Sequence, residues 1–323
     1  MRRRELLALG AGLLAGTVLA KAGRAETWPG RPVTLMVPFG AGGATDIVTR
    51  ALAAAMGKRI DQPIVVDNRP GGNGTVALST RLKFAAPDGH TLSTITTGAI
   101  RLPLMQPMNF DGIQDFTWIS MVSALRHFIV VRPDARWQDW PALLAEARAS
   151  PGRIRFGSPG QYSLMHVELI RVGQEKGVTW ENVPFRGDVE AVTTLLSGDL
   201  DFAVTSTAIG ELAKRGEVRL LGLMSADRLP GYPEVPTLIE QGTASVCEVP
   251  YGVAGPAGMA PALTERIAAV IRAAMDDPDH LALLDRMNQR PAYLGPAEAT
   301  AWARRFRDEQ AALLQRLNIP RQG

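Results

Sequence analysis

The chain has 323 residues, 46% hydrophobic and 21% charged, a length that exceeds what one simple core serves and so points to two lobes. Its excess of base lies in residues 1–25. Beyond them 30 basic side chains face 31 acidic ones, with no lysine/arginine run interleaved with aromatics, which excludes nucleic acid as a partner, and the lone cysteine, Cys247, excludes an internal disulfide.

Residues 1–25 read as a secretory signal peptide. Arg2, Arg3 and Arg4 precede an apolar stretch, Leu6 to Ala20, that is too short to span a bilayer comfortably. Small-residue sites follow, so cleavage is expected near Ala22 or Ala25. Arg3-Arg4-Glu5-Leu6-Leu7 resembles a twin-arginine signal without its usual phenylalanine. The signal carries no cysteine for a lipid anchor, and no later stretch is apolar enough to cross a membrane. A periplasmic location is expected.

Val33 to Val37 reads as a buried strand. The turn Pro38-Phe39-Gly40-Ala41-Gly42-Gly43-Ala44-Thr45-Asp46 follows, then a helix whose apolar face carries Ile47, Val48, Ala51, Leu52, Ala55 and Met56. Strand, glycine turn and helix N-terminus in that order make an anion site, because free N–H groups and the helix dipole point into the turn. Asp46 reads as a helix cap as readily as a ligand contact. Pro63 to Asp67 is a second strand, Thr75 to Phe84 a helix, and Thr91 to Thr96 a third strand ending in Thr97-Gly98. Such units imply a parallel sheet with ligands beyond its carboxyl ends.

Phe128 to Val131, Arg153 to Gly157, Val178 to Pro184, Asp201 to Val204 and Arg219 to Met224 read as further strands, with helices capped by Asp139 and Asp188 between them. Ser158-Pro159-Gly160-Gln161-Tyr162-Ser163 repeats the strand, turn and helix pattern in what reads as the other lobe. Val246 to Ala254 reads as a crossing strand, with Cys247 in it as a buried, inert thiol. Two long helices, Pro261 to Met275 and Pro296 to Leu317, close the chain. The expected division is 26–123 plus 243–323 for lobe 1 and 124–242 for lobe 2, with the two turns facing each other across a cleft.

Catalytic groups are not apparent. His90, His127, His166 and His280 stand far apart without metal-ligand spacing, and there is no Gly-x-Ser-x-Gly elbow. His90 reads as solvated, and His166 as a residue that could line the cleft. A cofactor reading of the first turn, as in a nucleotide-dependent enzyme, finds Thr45 where the third glycine belongs and leaves the second turn unexplained. No cofactor and no metal are expected.

The motifs Val37-Pro38-Phe39 with Gly42-Gly43-Ala44-Thr45-Asp46, Val66-Asp67-Asn68-Arg69-Pro70-Gly71, Ala86-Pro87-Asp88-Gly89-His90, Val183-Pro184-Phe185-Arg186-Gly187, Leu196-Ser197-Gly198-Asp199 and Pro233-Glu234-Val235-Pro236-Thr237 occur jointly and in order. In them the chain resembles, over essentially its whole mature length, the solute-binding receptors of tripartite tricarboxylate transporters, also called Bug receptors. The resemblance implies an α/β, two-lobed periplasmic-binding-protein-like (type II, Venus-flytrap) fold, with mixed sheets flanked by helices and the ligand in the inter-lobe cleft. It implies a monomeric receptor that closes on a small organic carboxylate and delivers it to large and small membrane subunits. A co-receptor for a membrane sensor kinase is the alternative.

Carried over by position, Phe39, Gly42, Gly43, Thr45 and Asp46 would form the first jaw, with Thr97 and Gly98 beside it. Ser158, Gln161, Tyr162 and Ser163 would form the second, and Thr205 would contribute a hydroxyl. Thr205-Ser206 stands where many members have Asp-Asn. Tyr162 adds an aromatic where glycine is common, and the frequent tryptophan before Tyr251-Gly252 is missing. These departures point to a mono- or dicarboxylate without an ammonium group, with an aromatic or apolar body.

Overall fold

The structure is a computed structural model and describes residues 28–321; the signal-peptide reading lies outside the described residues. The elements in order are β1 (Val33–Val37), α1 (Ala44–Gly57), β2 (Ile64–Asn68), α2 (Val76–Thr80), β3 (Thr91–Thr96), α3 (Gly98–Met105), β4 (Phe116–Leu125) and β5 (His127–Val131). Then come α4 (Trp140–Ala149), β6 (Ile154–Ser158), α5 (Leu164–Lys176), β7 (Trp180–Pro184), α6 (Asp188–Ser197), β8 (Phe202–Ser206), α7 (Gly210–Lys214) and β9 (Arg219–Leu223). The chain ends with β10 (Val249–Pro256), α8 (Pro261–Met275), α9 (Pro278–Arg286), β11 (Pro291–Leu294) and α10 (Pro296–Arg316).

Two sheets result. The first has the order β11-β4-β10-β3-β1-β2, and the second β7-β6-β8-β5-β9. β1 pairs in parallel with β2 and β3, as successive strand–helix units require. Both sheets are mixed, however: β10 runs antiparallel to β3 and β4, and β5 antiparallel to β8 and β9. The fold is α/β, two-lobed and of the periplasmic-binding type.

Local chemistry sets the helix ends. The Asp139 carboxylate accepts from Ala142 N–H at 2.8 Å, α5 stops at Gly177 (φ 65°), and α6 stops at Gly198 (φ 91°). The second sheet carries an aromatic core in which Phe156 stacks on Phe202 at 5.3 Å, with Trp140 and Trp180 against them. In the first sheet Trp118 lies 6.0 Å from Trp302 of α10.

Several expectations need correction. The helix expected over Thr75 to Phe84 is broken into α2 and a short 3-10 turn at Leu82–Phe84, with another 3-10 turn, Gly72–Gly74, just ahead of it. Gly187, not Asp188, is the cap of α6, and Asp188 is its first residue. Cys247 precedes β10 rather than lying in a strand, although it is buried. His90 is only 6% exposed rather than solvated. β4, α3, α9 and β11 were not anticipated.

The chain passes between the sheets at two adjacent places. Only Arg126 separates β4 from β5, and the return lies just before β10, where Val249 pairs with Leu125. Met224 N–H donates to His127 O and Cys247 N–H to Met224 O, both at 2.9 Å, while Arg126 Nε lies 3.2 Å from Glu248 Oε1. Two crossing segments bonded side by side have the geometry of a hinge. Burial pushes the Cys247 thiol up. The native protein is therefore expected to leave thiol reagents unreacted until it is denatured, a comparison that an absorbance assay makes directly.

Candidate functional site

A cavity of about 390 Å³ lies between the two sheets. Its walls are the beginnings of four helices. Phe39, Gly40, Gly43, Ala44 and Thr45 come from the turn into α1, and Thr97 is the residue before α3. Pro159, Ser163, Leu164 and Met165 come from the turn into α5, and Arg186 to Glu190 from the turn into α6. The first N–H groups of a helix have no partner within it, so the turns into α1, α3 and α5 favour an anion in this space, whereas Asp188 and Glu190 offset the dipole of α6. Leu125, Met165, Val189 and Val249 supply apolar wall.

The turn into α1 is held from behind. Asp46, 3% exposed, accepts from Gly42 N–H and from Asn68 Nδ2 at 2.9 Å each and from Arg50 Nε at 3.1 Å. Its carboxyl is held below the usual value: burial opposes that shift, while the bonds from Arg50, Gly42 and Asn68 together outweigh it. Asn68 Nδ2 also donates to Phe39 O at 3.1 Å. Asp46 thus braces the loop and is turned away from the cavity.

The turn into α5 is braced by a chain across the lobes. Arg101 on α3, fully buried, donates from Nε to Tyr162 O at 2.9 Å. Tyr162, at φ 55°, donates its own N–H to His166 Nδ1 at 2.9 Å, and the two rings stack at 5.4 Å. Ser163 caps α5 by accepting from His166 N–H at 3.2 Å. Burial and then the Arg101 charge push the His166 pKa down to about 4, so the ring is neutral and its Nδ1 can accept.

Of the residues expected at the site, Phe39, Gly43, Thr45, Thr97 and Ser163 line the cavity. Gln161 and Tyr162 line instead a neighbouring space of about 270 Å³ that shares Phe39, Asn73, Pro159 and Arg186 with it. Gly42, Asp46, Gly98, Ser158 and Thr205 line neither. Ser158 is buried, donating from Oγ to Asn182 Oδ1 at 2.6 Å, and Thr205 is fully buried on β8. Gly98 is needed for close approach, since a Cβ there would stand 2.3 Å from Asn73 O. His166 lies behind the wall, not in it.

Sequence reasoning missed Asn73, His127, Asp188 and Ser206. The pattern that flagged two turns was present a third time in Pro184-Phe185-Arg186-Gly187-Asp188, a strand end, a glycine and a helix start. Asp188 brings to the cavity an acid that the sequence reading used only as a helix cap. The carboxylate not found at Thr205-Ser206 arrives from α6, where Asp188 Oδ2 accepts from Ser206 N–H at 3.1 Å and from Ser206 Oγ–H.

Two lobes joined by paired crossings, with an inter-lobe cavity walled by helix N-termini, define a two-lobed ligand-binding protein. The profile described as "Tripartite tricarboxylate transporter family receptor" matches residues 48–319, and the chain belongs to that family. It is similar to protein BugT of Bordetella pertussis, with 31% identity over 266 residues and 81% of each chain covered. Among solved structures, a protein of R. palustris with adipate superposes with a TM-score of 0.85 at 24% identity, over 91% of this chain and 99% of the other. MatC from Rhodopseudomonas palustris with bound malate gives 0.81 at 23%, over 89% and 100%. Among the described residues, no helix is long and apolar enough to cross a membrane.

Proposed function

We propose that the protein is an extracytoplasmic receptor that closes about its hinge on a small organic carboxylate and hands it to the membrane subunits of a tripartite transporter. The observation that carries this reading is the inter-lobe cavity onto which the turns into α1, α3, α5 and α6 open. Adipate and malate in the two structural neighbours make a carboxylate the natural occupant. The signal peptide at 1–25 would place the receptor in the periplasm. The division expected from the sequence, 26–123 with 243–323 and 124–242, lies within a few residues of the crossing segments at Arg126 and Glu248, about which the lobes would close.

Magnitudes limit what the turns can do. Each helix N-terminus contributes roughly 0.3–2 kcal/mol to an anion, whereas micromolar affinity needs about 8 kcal/mol net. Hydrogen bonds from Thr45 and Thr97 and burial against Leu125, Met165 and Val249 must supply the remainder. Only ligand touching both lobes favours the closed state.

The test is a thermal-shift screen of the purified mature protein against mono- and dicarboxylates, with nucleotides as a control, followed by calorimetry on the hits. Stabilisation by one or a few carboxylates is the expected outcome. A response to nucleotides alone would overturn the reading in favour of an enzyme.

A further inference from the structure

The cleft is not uniform in polarity. At the turn into α1 the only acid, Asp46, is buried behind the loop and bonded to Gly42, Arg50 and Asn68. At the α6 end the opposite holds: Asp188 and Glu190 both line the cavity. Two carboxylates in the first turn of α6 cancel the positive end of that helix.

His127, the first residue of β5, is 1% exposed and also lines the cavity. Its Nδ1 lies 3.0 Å from Cys247 O. A carbonyl oxygen can only accept, so Nδ1 carries the proton. Burial lowers the imidazole pKa, against the pull of the Asp188 charge, the Cys247 carbonyl and the Glu248 charge. In the neutral ring Nε2 is then a bare acceptor. Ser206 stands opposite His127 in the β5–β8 register, and its N–H and Oγ–H are both committed to Asp188 Oδ2. Among the described residues no hydrogen bond engages Asp188 Oδ1. The wall there therefore offers two acceptors, His127 Nε2 and Asp188 Oδ1. Arg186, the one cation in the cavity lining among the described residues, is exposed.

We propose that His127 and Asp188 form a second ligand subsite that takes a hydroxyl or ammonium group, so that the bound molecule is a carboxylate with a donor-bearing far end rather than a diacid. This rests on the carboxylate occupying the α1 and α5 turns. A second carboxylate would place its lone pairs against two acceptors, one of them charged, whereas O–H or N–H groups satisfy both. The carboxylate supplied by α6 takes over the role that Thr205-Ser206 cannot fill.

Calorimetry of the mature protein with matched sets of four to eight carbons tests this: unsubstituted acids, ω-hydroxy acids, ω-amino acids, α,ω-diacids and the corresponding carboxylate-free amino alcohols. At the best chain length, the ω-hydroxy or ω-amino acid is expected to bind at least tenfold more tightly than the unsubstituted acid and the diacid. Asp188→Asn keeps an oxygen for Ser206 but turns the other position into a donor, so the ω-amino preference should fall at least tenfold and diacid binding should rise. A diacid or unsubstituted acid that equals the donor-bearing acids on the wild-type protein overturns the subsite, however the variant folds. Amino alcohols binding as tightly as ω-amino acids would instead overturn the carboxylate reading while supporting the subsite. No binding anywhere in the panel overturns both.

Discussion

Gly43→Val is expected to abolish carboxylate binding, by at least a hundredfold, while leaving the melting temperature within a few degrees. Gly43 is the cap residue of α1 and has φ −75° and ψ 166°, an extended conformation that β-branched residues adopt freely. A Cβ there would meet only Gly40 O, at 3.3 Å, a tight contact that a shift of the Gly40 carbonyl by a few tenths of an ångström relieves. The branching methyls have the cavity to enter, where they would cover the N–H groups that open α1. A hundredfold loss is about 3 kcal/mol, more than one helix N-terminus contributes by itself, because the bulk also keeps the ligand's apolar body from seating. Gly42 would be a poorer choice: its φ of 79° requires glycine, and its N–H holds Asp46, so a valine there would break the turn itself. Calorimetry with the tightest carboxylate and a thermal melt decide the matter together. Unchanged affinity would remove the α1 turn from the site, and a collapsed melting curve would mean that the glycine serves the fold.

The turn into α1 was legible because its signal is local, although Gly42 and Asp46, expected there as ligand contacts, do not line the cavity. A strand, a glycine pair and an amphipathic helix occupy one continuous stretch, and the backbone groups that matter belong to the turn itself. The second jaw was legible only in part. Ser163 lies where the local pattern puts it, but the Tyr162 ring is turned aside by stacking on His166, one helical turn further on, while Arg101, distant in sequence, takes the carbonyl. Thr205 fails for a simpler reason: on a strand, alternate side chains face opposite sides, and Ser206 is the one that reaches the cavity. His127 could not be found from sequence, because its place depends on the two crossing segments meeting. Nothing near residue 127 announces that Cys247 will offer it a carbonyl. β4, and the antiparallel pairing of β10 with β3 and β4, were hidden likewise, since a strand–helix alternation reveals parallel neighbours but does not say beside which strands a segment from the other end of the chain will lie.

His166 gives the protein a stability that falls with acid. In the folded state its pKa is pushed down to about 4, first by burial and then by the Arg101 charge, against an ordinary value of 6.5. Between those values the unfolded chain binds the proton and the folded one does not, so stability is full above pH 6.5 and declines as the pH drops toward 4. The whole effect is about 3 kcal/mol, with about 2 kcal/mol of it lost by pH 5. His127 and His280, whose pKa values burial also lowers, add to the same slope. His166→Asn separates them, because an amide oxygen can still accept from Tyr162 N–H but cannot titrate. The wild-type protein should lose stability between pH 7 and pH 5 by about 2 kcal/mol more than the variant does in urea titrations. An equal loss in both would show that His166 does not carry the slope. Binding should follow the same window. Once Nδ1 is protonated, a donor faces the Tyr162 N–H beside the Arg101 guanidinium, and the turn that presents Ser163 to the cavity loses its brace. Affinity at pH 5 should then drop in the wild-type protein and hold in His166→Asn, which would tie the acid sensitivity of the cleft to the bond behind it rather than to the ligand's own carboxylate.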